Sequence, residues 1–203
     1  MKKILLVSAI AAAIGAPMLA RAESAVATSA ASTTAAARLD FKIIIPRVLF
    51  LAVGTGAAGT TLVANSTIDL VTFDYTTNPG AIGSGAVAAT ISGNVVPVRV
   101  LGNAGAITLT AATTGPLTTG VAGEVIPWSE ITVVSSDTPN LPSPAIPLTG
   151  TGASSNVAVT AGKITNRTAN WTYSYANSAV LAAGTYGGTV ANNSRITYTA
   201  TMP

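Results

Sequence analysis

From residue 39 onward, short runs rich in Thr and Val recur between clusters of Gly, Pro and Asn, and none sustains the apolar period of a helix. Alternation at period two lets a strand bury one face, because successive side chains point to opposite sides of a sheet. The runs predicted as strands are 39–45 with an apolar continuation to Val53, then 67–75, 85–91, 95–101, 105–110, 130–135, 156–160, 169–176 and 194–201. Pro46 cannot donate a ladder hydrogen bond, so it places the first strand at an edge or kinks it there. Residues 136–152 hold four prolines and read as an extended connection between sheets. Composition agrees: 49% of the chain is hydrophobic but only 8% is charged, whereas surface helices need charged outer faces. The expectation is an all-β sandwich. A transmembrane barrel would need aromatic girdles that three Phe, five Tyr and two Trp do not furnish, and no fixed repeat supports a solenoid.

The N-terminus follows a different logic. Lys2 and Lys3 precede an apolar run from Ile4 to Ile14, Gly15 and Pro17 break it, and Ala20-Arg21-Ala22 offers small residues at a cleavage site. A run this short falls below the roughly 20 residues that span a bilayer. Residues 1–22 are therefore predicted to be a secretory signal peptide for the Sec route, cleaved after Ala22, with no membrane span in the mature chain. The protein is expected to transit the periplasm and end at the cell surface or outside the cell. Residues 23–37 are low-complexity Ala, Ser and Thr and read as a flexible arm, with 38–203 forming one sandwich domain.

Removing the signal takes Lys2, Lys3 and Arg21, leaving seven basic residues against seven acids. A neutral, sparsely charged chain lacks the basic clusters that meet phosphates, so no nucleic-acid partner is expected. Weak net charge instead favours self-association. The chain has no His and no Cys, so a Ser-His-Asp triad, a thiol nucleophile, disulfides and most zinc sites are excluded. Asp69 and Asp74 lie five residues apart, on opposite faces of a predicted strand, and no acidic loop motif for calcium joins them or Asp137. No catalytic residue, metal or cofactor is assigned, and the chain is not read as an enzyme. Trp171 lies in an alternating strand and is expected in the core. Trp128, after Pro127, is the better candidate for a surface platform that stacks on a sugar.

The last third carries the most specific pattern. Trp171-Thr-Tyr173-Ser-Tyr175 is followed by Leu181-Ala-Ala183-Gly184-Thr185-Tyr186 and then by Ile196-Thr-Tyr198-Thr-Ala200. The spacing of Leu181, Gly184 and Tyr186 fits a tyrosine corner, in which a Tyr hydroxyl returns to nearby backbone at a Greek-key crossover, Gly184 permitting the tight turn. Together with the terminal alternating strand, this resembles the C-terminal end of secreted bacterial fimbrial subunits, the spore-coat-U-like pilins of archaic chaperone–usher systems, or a related bacterial Ig-like surface protein. The resemblance implies an Ig-like Greek-key sandwich that lacks its own last strand and accepts an N-terminal extension from the next subunit. It also implies a periplasmic chaperone and an outer-membrane usher as partners.

Two readings of the chain end follow. If 194–201 is the corner strand, no final strand remains, and the open edge is a site for strand addition. The protein is then a structural subunit of an extracellular fibre or surface layer, adhesive in one version, that assembles with itself or other fibre subunits. Leu39, Phe41, Ile43 and Ile45 are the donor-strand candidates, and Ile196, Tyr198 and Ala200 line the acceptor groove. If Tyr186–Val190 is instead a short strand, the sandwich closes on itself. The protein is then a self-contained Ig-like module binding a protein or glycan.

Overall fold

The computed structural model describes residues 23–55 and 62–203, so the predicted signal peptide lies outside the described residues. The chain divides into two units, Met1–Ile45 and Pro46–Pro203.

In the first unit, residues 23–45 form no helix or strand. Arg38 holds both carboxylate oxygens of Glu23, through Nη2 at 2.8 Å and Nε at 2.9 Å. The strand expected at 39–45 is absent. A period-two pattern supplies a face to bury, but a strand also needs a neighbour for its N–H and C=O groups, and among the described residues this segment has none. The compact unit begins at Pro46, so 38–45 belong with the arm rather than with the sandwich.

The second unit is an all-β sandwich. Its first sheet has the order β1-β4-β11-β8, from Leu49–Val53 (β1), Val95–Gly102 (β4), Thr165–Tyr175 (β11) and Ile131–Ser135 (β8), all antiparallel. The facing sheet is built on Ile107–Thr113 (β5). Thr197–Thr201 (β12) pairs along one side of β5, while Gly150–Thr151 (β9) and Ser155–Val157 (β10) pair along the other. Two small ladders complete the set, Thr72–Asp74 (β2) with Thr90–Ser92 (β3), and Leu117–Thr118 (β6) with Val125–Ile126 (β7).

The alternation that predicted these strands is what fills the core. Val96, Val98 and Val100 of β4 face Ile107 and Leu109 of β5, with Ala169, Trp171 and Tyr173 of β11, Leu141 and Val157 packed among them. Fully burying a side chain of Val, Leu or Ile size contributes about 1.5–3 kcal/mol. Pro97 is tolerated inside a central strand because it stands where the β1 ladder ends: its carbonyl accepts from the Gly54 N–H at 2.8 Å, and the reciprocal bond that its missing N–H would make is the only one forgone there.

The remaining strands differ from expectation in length. Expected 67–75 shrinks to Thr72–Asp74, since Asp69 turns aside to accept hydrogen bonds from the Thr55 N–H (2.5 Å) and Oγ1 (3.0 Å). Of expected 85–91 only Thr90 and Ile91 are in a strand, Thr90–Ser92, because the preceding loop is tied to Asn177 instead of to a strand. β11 is longer than expected, starting at Thr165. Trp128 is buried rather than displayed, its Nε1–H donating to the Gly115 carbonyl at 2.6 Å. No sugar platform can form there.

Candidate strand-acceptor site

Among the described residues β12 is paired on one side only. In an antiparallel ladder every second residue turns its N–H and C=O to one neighbour and the next residue turns them to the other, so half of the main-chain groups of β12 face its open side. Thr197, Thr199 and Thr201 point outward and are exposed, while Ile196, Tyr198 and Ala200 turn inward and pack half-buried against the core, followed by Met202. The structure therefore brings the three predicted groove residues onto one face.

Tyr198 is the most firmly held of them. Its ring meets Trp171 edge-on with centroids 5.0 Å apart, and its hydroxyl shares a 2.8 Å hydrogen bond with that of Tyr173. Burial pushes the Tyr198 phenol far above the ordinary tyrosine range, reinforced by Tyr173, and burial raises Tyr173 as well. The pair is neutral and ties β12 to β11 across the sandwich.

The other border is β1, which among the described residues pairs with β4 alone and comes close to β12. Leu51 and Val53 are half-buried against the core there. An open groove of about 520 Å³ follows β1, walled by Leu49, Leu51 and Val53 on one side and Leu62 and Val63 on the other. Among the described residues, 62–71 makes no main-chain to main-chain hydrogen bond, so this stretch leaves the β1 ladder open. The root of β1 is clamped: Asn103 Oδ1 accepts from the Val48 N–H (2.8 Å) and its Nδ2 donates to the Pro46 carbonyl (2.7 Å).

The donor candidates lie in the other unit. Leu39, Phe41, Ile43 and Ile45 are 73%, 83%, 84% and 76% exposed. Four large apolar side chains at alternate positions, all in solvent, leave unrealised the burial energy a partner strand would gain.

The corner residues sit in the 176–196 connection between β11 and β12, outside any strand. Tyr186 Oη donates to the Ala182 carbonyl at 3.0 Å, and Leu181 is half-buried. Gly184 does not occupy the left-handed region that a glycine-requiring turn uses. It serves by close approach instead, since a Cβ there would lie 2.8 Å from Thr119 Cγ2. Sequence reasoning missed the residue that organises this end of the sandwich. Asn177 is buried at φ +50° and binds the 81–86 loop through both ends of its amide. Asn tolerates the left-handed region better than most residues, but nothing local marks this Asn among the others.

The remaining polar chemistry is local. Asp74 accepts from the Thr76 N–H and hydroxyl, which hold its carboxyl below the usual range, and Asp137 accepts from Asn140 Nδ2. Among the described residues no group of three acidic, His or Cys side chains gathers to hold a metal ion, and no helix is long and apolar enough to cross a membrane. No family model, no curated protein and no solved structure matches the chain.

Proposed function

We propose that this protein is a structural subunit of an extracellular fibre or surface layer, exported by the Sec route and assembled by β-strand complementation. The observation that carries this reading is the pair of one-sided strands, β1 and β12, bordering half-buried apolar residues, in a chain whose arm exposes an alternating apolar segment. Strand order supports it. In Ig-type sandwiches the sheet A-B-E-D packs on C-F-G. Here β1-β4-β11-β8 packs on a sheet in which β12, in the place of F, has no neighbour among the described residues on its outer side. The chaperone and usher suggested by the resemblance would shield this edge before assembly, and adhesion would be a property of the assembled fibre.

A self-contained module binding a protein or glycan is the second reading. It is favoured by the absence, among the described residues, of any buried side-chain polar atom without a hydrogen-bond partner.

One experiment separates the two. The purified protein is melted with and without a peptide of residues 23–45, and its size distribution is followed over time. Strand acceptance predicts self-assembly and a stabilisation of about 2.7 kcal/mol at a hundredfold excess of peptide over Kd, roughly 5–10 °C in Tm. Ile43→Asp in the peptide removes the gain, because a charge cannot enter the apolar face. The same change in the protein stops assembly without lowering its Tm, Ile43 being exposed in the free chain. A monodisperse monomer indifferent to the peptide overturns the fibre reading.

A further inference from the structure

The compact unit carries a second feature suited to assembly, in its charges. Its strands run between two ends, and β11, at 11 residues, spans about 33 Å between them at roughly 3.3 Å per residue.

One end holds the start of β1, the turn between β4 and β5, the start of β11 and the end of β12. Three cations lie there. Arg47 is exposed beside the Asn103 clamp, and exposed Lys163 has its carbonyl bonded to the Gly105 N–H (3.0 Å). Arg167 is fixed by donating to the Ala158 (2.9 Å) and Val159 (2.7 Å) carbonyls. The acid of the compact unit nearest to them is Asp137, which reaches Arg167 only through Asn140 and Ala158.

The opposite end holds the finish of β1, the β2–β3 and β6–β7 ladders, the start of β8 and the finish of β11. It carries Asp69, Asp74, Glu124 and Glu130, with Arg195 the one base. Each carboxylate is held in place by a hydroxyl, from Thr55, Thr76, Thr119 and Ser178 in turn. None is in an ion pair among the described residues. Arg99, opposite Thr168 and next in register to Arg167, and Asp137, in the turn that Asn140 joins to Ala158, both lie toward the basic end and offset each other there. Acids and bases thus balance over the unit, but they are sorted to its two ends.

Resting on the fibre reading above, we propose that the occupant of the acidic end is the basic end of a second copy of this chain, so that subunits dock head to tail. Charges about 33 Å apart do not cancel each other in solution, because the Debye length at physiological salt is about 8 Å. Each end therefore keeps its own field, which speeds encounters in the complementary orientation and opposes head-to-head ones. A head-to-tail contact between unlike surfaces propagates into a filament unless its rotation closes a ring. Charge sorting would set the polarity of the fibre before any strand is exchanged.

Charge inversion on each end tests this in the full-length protein. Asp74→Lys with Glu130→Lys makes both ends basic, and Arg47→Glu with Lys163→Glu makes both acidic. Glu124→Lys with Asp74→Lys serves if loss of the Glu130–Ser178 contact impairs folding. Each double variant alone should assemble about tenfold more slowly or worse, and an equimolar mixture should return to within about threefold of wild type. Wild-type assembly should slow between about 0.02 M and about 0.5 M salt. A mixture no faster than its components, salt-insensitive assembly, or a wild type that does not associate at low salt overturns the proposal. Binding of the 23–45 peptide, measured on the same variants, reports on strand acceptance separately. Its loss with the mixture effect intact would sink strand complementation alone, and its persistence without the mixture effect would sink polar docking alone.

Discussion

Replacing Asn177 tests whether one buried amide organises the acidic end of the sandwich. Its Oδ1 is the acceptor for the Gly83 N–H at 2.8 Å, and its Nδ2 donates to the Ala81 carbonyl at 2.7 Å and the Ala86 carbonyl at 3.0 Å. Removing the side chain does not orphan all three partners. Ala81 O still accepts from Ser84 Oγ (2.7 Å), and Ala86 O still accepts from Tyr75 Oη (3.0 Å). Only the Gly83 N–H is left without a partner. An unsatisfied donor costs about 1–3 kcal/mol and each lost bond about 1 kcal/mol, so Asn177→Gly should destabilise by about 3 kcal/mol. Asn177→Ala should cost about 1 kcal/mol more, because Ala pays for the left-handed conformation that Gly adopts freely. Urea denaturation at constant m-value measures both, and hydrogen exchange at Gly83 and Gly85, whose amides bond to Asn177, localises the effect. A loss below about 1 kcal/mol, or equal losses for Gly and Ala, would refute the accounting.

Four further outcomes are expected. The Tyr173 and Tyr198 phenols are raised above the ordinary range in the folded state, so the unfolded chain releases these protons first. Stability should be full below about pH 10 and fall above it by up to about 1.4 kcal/mol per pH unit for each phenol, with a shallower fall in Tyr198→Phe, read by denaturation across the alkaline range. Gly93→Ala should cost about 2 kcal/mol or more by calorimetry, because φ is +68° and a Cβ would lie 2.4 Å from the Leu70 carbonyl oxygen; Gly123→Ala, with a positive φ but open space, should cost about 1 kcal/mol. Intact mass of the exported protein should place its first residue at Glu23. EDTA should leave Tm unchanged, whereas a large drop would reveal a carboxylate–cation site.

Much of the fold was legible in the residues themselves. The alternation of Val96, Val98 and Val100 in β4, or of Ile107, Leu109 and Ala111 in β5, is a local property, and each set became a buried face. Ile196, Tyr198 and Ala200 were legible as one face for the same reason. The tertiary structure decided what that periodicity does not encode. Leu39, Phe41, Ile43 and Ile45 alternate as regularly as the core of β4, yet they form no strand, because strand formation requires hydrogen bonds from a neighbour that this segment lacks among the described residues. Trp128 became a core residue through a carbonyl at Gly115, and Asn177 became a keystone through Gly83 and Ala81, all partners remote in the chain. The free edges of β1 and β12, and the sorting of acids and bases to opposite ends, arise in the same way. They depend on which distant strands lie side by side, as β11 does with β4, whereas a residue's place in a local pattern records only the face on which it stands.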